Sequence, residues 1–66
     1  MNKNIIEDLN LSVSTYNVLK RSGVNFVDQL CEMTENDIHK LRNMHKRNLR
    51  DINEQLTKIG LSLKSV

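Results

Sequence analysis

The chain has 66 residues, a formal net charge of +2, one cysteine, no proline and two glycines. A chain this short is expected to form a single domain over residues 1–66, with marginal stability. One cysteine excludes an internal disulfide, and no apolar run approaches the ~20 residues of a membrane helix. The N-terminal Met1-Asn2-Lys3-Asn4 lacks the apolar core of a signal peptide, so a cytoplasmic protein is expected. Tyr16 and Phe26 are the only aromatic residues, too few for a base-stacking platform.

In order along the sequence, Ser12 is placed to N-cap a helix running through Tyr16 and Leu19 to Arg21 or Ser22. Gly23 follows as a left-handed stop, with Val24 positioned to touch Leu19. Asn25-Phe26-Val27-Asp28 starts a short helix burying Val27, Leu30 and Cys31. Thr34-Glu35-Asn36-Asp37 resembles a capping box, with Asp in place of the longer Glu, and opens a helix burying Ile38 and Leu41. The last helix carries Leu49, Ile52, Leu56 and Ile59 at spacings of three and four, and Gly60-Leu61 repeats the glycine stop. No segment alternates as a strand would. An all-α domain of four to five helices results, with Val13, Leu19, Val27, Leu30, Ile38, Leu41, Leu49, Ile52, Leu56 and Ile59 as its expected core.

Charge is unevenly placed. From Lys40 to Arg50 there are five Lys/Arg and no acid (+5); the rest of the sequence has five Lys/Arg and eight Asp/Glu (−3). Lys46, Arg47 and Arg50 open the last helix, where the helix dipole is positive and acids would be stabilising. A helix start bearing cations and free N–H groups suits an anion, and nucleic-acid phosphate is the leading choice. The plainer reading is a solvated basic helix end, with Arg47–Asp51 and Arg50–Glu54 as i,i+4 pairs in the weaker orientation. Lys46 and Arg47 are the expected phosphate contacts.

Other chemistry finds little support. Cys31, His39 and His45 do not have the spacing of a zinc site, and neither a metal nor another cofactor is expected. The acids Glu7, Asp8, Asp51 and Glu54 lack a nucleophile or pocket signature, so no enzymatic activity is expected.

Ile6-Glu7-Asp8-Leu9-Asn10-Leu11-Ser12-Val13, Tyr16-Asn17-Val18-Leu19-Lys20-Arg21, Gly23-Val24, Leu30, Thr34-Glu35, Arg42-Asn43 and Gly60-Leu61-Ser62-Leu63 carry a resemblance. Together they resemble the C-terminal domain of the bacterial RNA polymerase alpha subunit, from about Ile5 to Leu63 without an evident gap. The resemblance implies a compact helical fold related to helix-hairpin-helix modules. It implies A·T-rich duplex DNA as a partner, bound at the minor groove, together with sigma factor, transcription regulators and RNA polymerase.

Carried over by residue, Asn17 and Asn43 match the family's DNA surface, and Arg47 keeps a positive charge where Lys is usual. Ser14 stands in place of a minor-groove Arg, His45 in place of a Gly at a close approach to phosphate, and Asn48 in place of a Ser at the phosphate. Asp8 retains an acid in the segment resembling the sigma-facing surface, while Asn10 replaces another. The implied DNA-contact set is therefore Asn17, Asn43, His45, Lys46, Arg47 and Asn48, with Asp8 for protein interaction. The missing Arg points to a stand-alone relative or divergent paralogue. Abundant Asn, Ile and Lys suit an A·T-rich bacterial genome. Two functions are expected: a non-enzymatic transcription-associated module binding DNA weakly through phosphates, or a module contacting sigma factor, a regulator or polymerase without binding DNA.

Overall fold

The computed structural model describes residues 4–65. A 3₁₀ turn at Ile6–Asp8 precedes four helices: α1 (Val13–Arg21), α2 (Val27–Cys31), α3 (Glu35–His39) and α4 (Lys46–Lys58). Among the described residues there is no strand, only one isolated antiparallel bridge between Ile5 and Phe26. The architecture is all-α.

Local chemistry sets each boundary. Ser12 caps α1, its hydroxyl accepting from Thr15 N–H at 3.3 Å. Thr34 and Asp37 close a reciprocal capping box at α3, with both bonds at 3.1 Å. The carboxyl of Asp37 is held below its usual range by the Thr34 N–H and hydroxyl. At α2, where Phe26 has no side chain able to cap, Gln29 reaches back to accept from Asn25 N–H (2.7 Å) and Phe26 N–H (2.9 Å). Both long helices end in the same way. Val24 N–H bonds to Leu19 carbonyl (2.9 Å) and Gly23 N–H to Lys20 carbonyl (3.1 Å). Leu61 to Leu56 (2.8 Å) and Gly60 to Thr57 (3.0 Å) repeat that pattern. Gly23 and Gly60 have φ of +83° and +77°.

α4 packs against both α1 and α3. Leu19, Val27, Leu30, Ile38, Ile52 and Leu56 are buried as expected, while Leu41 and Leu49 lie half-buried against that cluster. Full burial of a Leu or Ile side chain contributes ~1.5–3 kcal/mol. Cys31 is half-buried against the same core, and burial, with Asp28 nearby, pushes its thiol up.

Two expected core residues are not in the core. Val13 is 75% exposed and Ile59 48%. The inward face of α1 is Thr15, Val18 and Leu19, and Val13, two residues before Thr15, points roughly 200° away from it. Ile59 falls on the cap, at φ −107° and ψ 15°, where the backbone leaves the helix and the stripe loses its register. Ile6, Leu9, Val24, Met44 and Leu63 come from turns and flanking segments and complete the core. The flanks are tied down by backbone bonds: Ile6 N–H to Asn25 carbonyl (3.1 Å), Val27 N–H to Asn4 carbonyl (2.8 Å) and Lys64 N–H to Met33 carbonyl (2.9 Å).

A Cβ added at Gly23 would meet nothing within 4 Å, so its replacement tests backbone conformation alone. Gly23→Ala is expected to destabilise the domain by ~1–2 kcal/mol, the cost of a left-handed L-residue. Denaturant melts of the two proteins check this.

Candidate nucleic-acid interface

The last helix starts without local help from charge. Its first turn contains Lys46 and Arg47 and no acid, and His45 at the N-cap provides no side-chain cap. Asn48 supplies the cap from inside the helix, its Oδ1 accepting from His45 N–H at 3.0 Å. The same amide then reaches across to α1. Asn48 Nδ2 donates to Thr15 Oγ1 at 3.0 Å and to Ser14 Oγ at 3.2 Å. Asn48 is only 1% exposed, and Thr15 is fully buried. A second tie runs alongside: Asp51 Oδ2 accepts from Ser12 N–H at 2.9 Å. Together they dock the start of α4 on the start of α1.

The plain pairing of basic residues with neighbouring acids does not form. Asp51 is held by the Ser12 amide, and neither Arg47–Asp51 nor Arg50–Glu54 forms an ion pair. Among the described residues the one ion pair is Lys20–Glu7, at 3.2 Å. The charge on α4 is left without a carboxylate partner.

Before α4 the backbone makes a turn in which Met44 N–H bonds to Leu41 carbonyl at 3.2 Å. Asn43, its third residue, has φ +66°, the left-handed region in which Asn is the most tolerated residue after Gly. The turn sets Arg42 and Asn43 side by side at its tip. His45, by contrast, has φ −107°, ordinary extended backbone. A residue with a Cβ stands there without strain.

These elements enclose a groove of about 630 Å³. One wall is Ser14, Asn17, Val18, Arg21 and Ser22; the other is Arg42, Asn43, His45 and Arg47. Four of the expected DNA residues, Asn17, Asn43, His45 and Arg47, therefore meet in one concavity containing three arginines and no acid. Two expected residues do not. Asn48 is buried, and both ends of its amide are engaged within the protein. Lys46 lies with Leu49, Arg50 and Asn53 on another face of α4. Arg21 and Arg42 are the groove cations that the expected contact set left out. A signal for Arg21 was present, since positions 14, 17 and 21 fall on one face of a helix.

Asp8, the last residue of the 3₁₀ turn, is exposed and accepts from Ile5 N–H at 3.3 Å. Its neighbour Glu7 accepts from Tyr16 O–H at 2.8 Å and Lys20 Nζ at 3.2 Å. The Tyr16 hydroxyl, then the residue's own backbone N–H and after it Lys20, hold the Glu7 carboxyl below its ordinary value. No group of three or more His, Cys, Asp or Glu among the described residues is arranged to hold a metal.

Residues 1–58 match the family model for the C-terminal domain of the bacterial RNA polymerase alpha subunit. The protein belongs to this family. It is 47% identical over 60 residues to DNA-directed RNA polymerase subunit alpha of Moorella thermoacetica, covering 91% of this sequence and 19% of the relative. With the subunit of the same name from Clostridium kluyveri it shares 49% over 59 residues, covering 89% and 19%. The Clostridium botulinum subunit is 46% identical over the same length and coverage. The sequence thus spans about a fifth of the length of these curated relatives. No helix among the described residues is long and apolar enough to cross a membrane.

Two predictions concern this region. Asn48→Ala removes the α4 cap and leaves the Thr15 and Ser14 hydroxyls without their donor, so a loss of ~1–3 kcal/mol is expected. Arg47→Ala, at the exposed rim, should stay within about 0.5 kcal/mol; parallel denaturant melts compare the two. Because the Glu7 carboxyl is lowered in the folded protein, its contribution is full above the unfolded value and is lost as pH falls through the folded value. Tyr16→Phe should raise the Glu7 midpoint towards the ordinary range, as read by NMR titration of its side-chain carboxyl.

Proposed function

We propose that this protein is a non-enzymatic, transcription-associated module of the bacterial cytoplasm that binds duplex DNA weakly through phosphate contacts at the start of α4. The supporting observation is the groove between α1 and the α3–α4 turn, which holds Arg21, Arg42 and Arg47 with two asparagines and no carboxylate. Arginine forks bind phosphate oxygens in pairs, and Asn17 and Asn43 add neutral donors and acceptors. Position 14, which faces the same groove, carries a hydroxyl that accepts from Asn48 instead of a cation. A narrow A·T minor groove attracts arginine by its negative potential, and no arginine stands at this position to meet it. Affinity is therefore expected to rest on charge more than on sequence. RNA polymerase is the assembly named in the relatives, and it is the proposed setting for this module.

A second reading is favoured by the acidic edge at Glu7 and Asp8, which is exposed and held ionised at Glu7. In that reading the module meets a basic surface on sigma factor, a regulator or polymerase through Asp8, without DNA.

The two are separated by titrating the protein into A·T-rich and G·C-rich duplexes over a range of salt. The DNA reading expects weak complexes with both, and Arg47→Ala flattening the slope of log affinity against log salt by ~0.9, one phosphate contact. No complex at any salt, with capture of polymerase abolished by Asp8→Asn, would favour the second reading.

A further inference from the structure

The three arginines of the groove come from three places. Arg47 belongs to the helix start already discussed. Arg21 is the last residue of α1, and Arg42 is at the tip of the Leu41–Met44 turn. Both Arg21 and Arg42 are exposed, and neither forms an ion pair with an acid among the described residues. The neighbouring cation on α1, Lys20, turns the other way to Glu7. Arg21 also stands favourably at the negative end of α1, which accounts for its place on that helix. It does not account for Arg42, which belongs to no helix. Three like charges in one concavity repel unless an anion joins them.

We propose that Arg21 and Arg42 form a phosphate clamp at the end of the groove away from the Ser14–Asn48 bridge, gripping the duplex by its backbone without regard to A·T content. This rests on the DNA-binding reading above. The geometry of α1 decides which part of the duplex the clamp meets. Ser14 and Arg21 lie seven residues apart on one helix face, so they are separated by ~10.5 Å along the axis. A B-form minor groove is only ~6 Å wide. With α1 running across the minor groove, a residue at position 14 and Arg21 are too far apart to sit on the groove floor together. With the α1 start docked against α4 by Asn48, Arg21 stands over the flanking strand, facing phosphate. Arg42 approaches from the opposite wall, so one strand's phosphates are held from two elements. The cation missing at position 14 is thus replaced by two at a place that carries no sequence information.

The test is fluorescence anisotropy of A·T-rich and G·C-rich duplexes across a salt series, using the parent, Arg21→Ala, Arg42→Ala, the double variant, Arg21→Lys and Arg47→Ala. Each single alanine variant should lower the magnitude of the salt slope by ~0.9 and the double by ~1.8, equally on both duplexes. Arg21→Lys should keep the parent slope, because it keeps the charge. If Arg47→Ala lowers the slope while Arg21→Ala and Arg42→Ala leave it at the parent value, the clamp is wrong and DNA binding stands. A loss seen on the A·T-rich duplex alone would also overturn the clamp, since it would mean that these arginines read the groove. Absence of any complex with the parent would overturn the clamp and the DNA reading together.

Discussion

The side-chain amide of Asn48 is the constraint on which the candidate interface depends. It caps α4 through His45 N–H and bridges to two hydroxyls on α1, all from a site 1% exposed to solvent. A buried amide is costly unless its donors and acceptor are matched, and here they are. The cost of a mismatch restricts how far α4 can slide or rotate on α1. The Ser12–Asp51 bond reinforces the same docking one turn further along α4. With both helix starts held, the walls of the groove are set by packed elements instead of by loops alone, which favours a site with defined spacing.

The same bonds explain why the basic pole stays basic. Asp51 is four residues from Arg47 and would neutralise it on an isolated helix, but its carboxylate is turned to a backbone amide of the other helix. Glu7 is matched with Tyr16 and Lys20. The Ser12–Asp51 contact thereby turns the i+4 carboxylate away from Arg47, and the lining of the groove has three arginines and no acid. Stability and charge are connected here through hydrogen bonds made elsewhere in the fold.

Much of the fold was legible because it is written in local chemistry. Ser12, the Thr34/Asp37 box and the two glycines mark helix boundaries by bonds spanning three to five residues, and the structure has each of them. Burial was less legible at helix ends. Val13 and Ile59 have core character, but the register of α1 and the cap of α4 turn them outward. Within the site, the basic cluster located the helix start correctly, yet sequence proximity said nothing about which side of α4 each cation faces. Arg47 and Lys46 are neighbours that line different faces. Asn48 was hardest to read. Its role depends on hydroxyls 33 and 34 residues away, and no local pattern encodes that partnership. Ser14 and Asn48, both expected to depart from the family pattern, are bonded to each other.

Gly23 governs more than the end of a helix. By stopping α1 after nine residues, it sets the rotational phase at which the final side chain emerges. Each residue added before it would carry that side chain ~100° around the axis. An insertion of one residue at this surface loop could be absorbed by the fold at small thermodynamic cost, yet it would point the terminal guanidinium away from the concavity. A glycine that touches no ligand therefore decides the direction of a charge, and length variation at this bend would be felt first in electrostatic geometry and only later in stability.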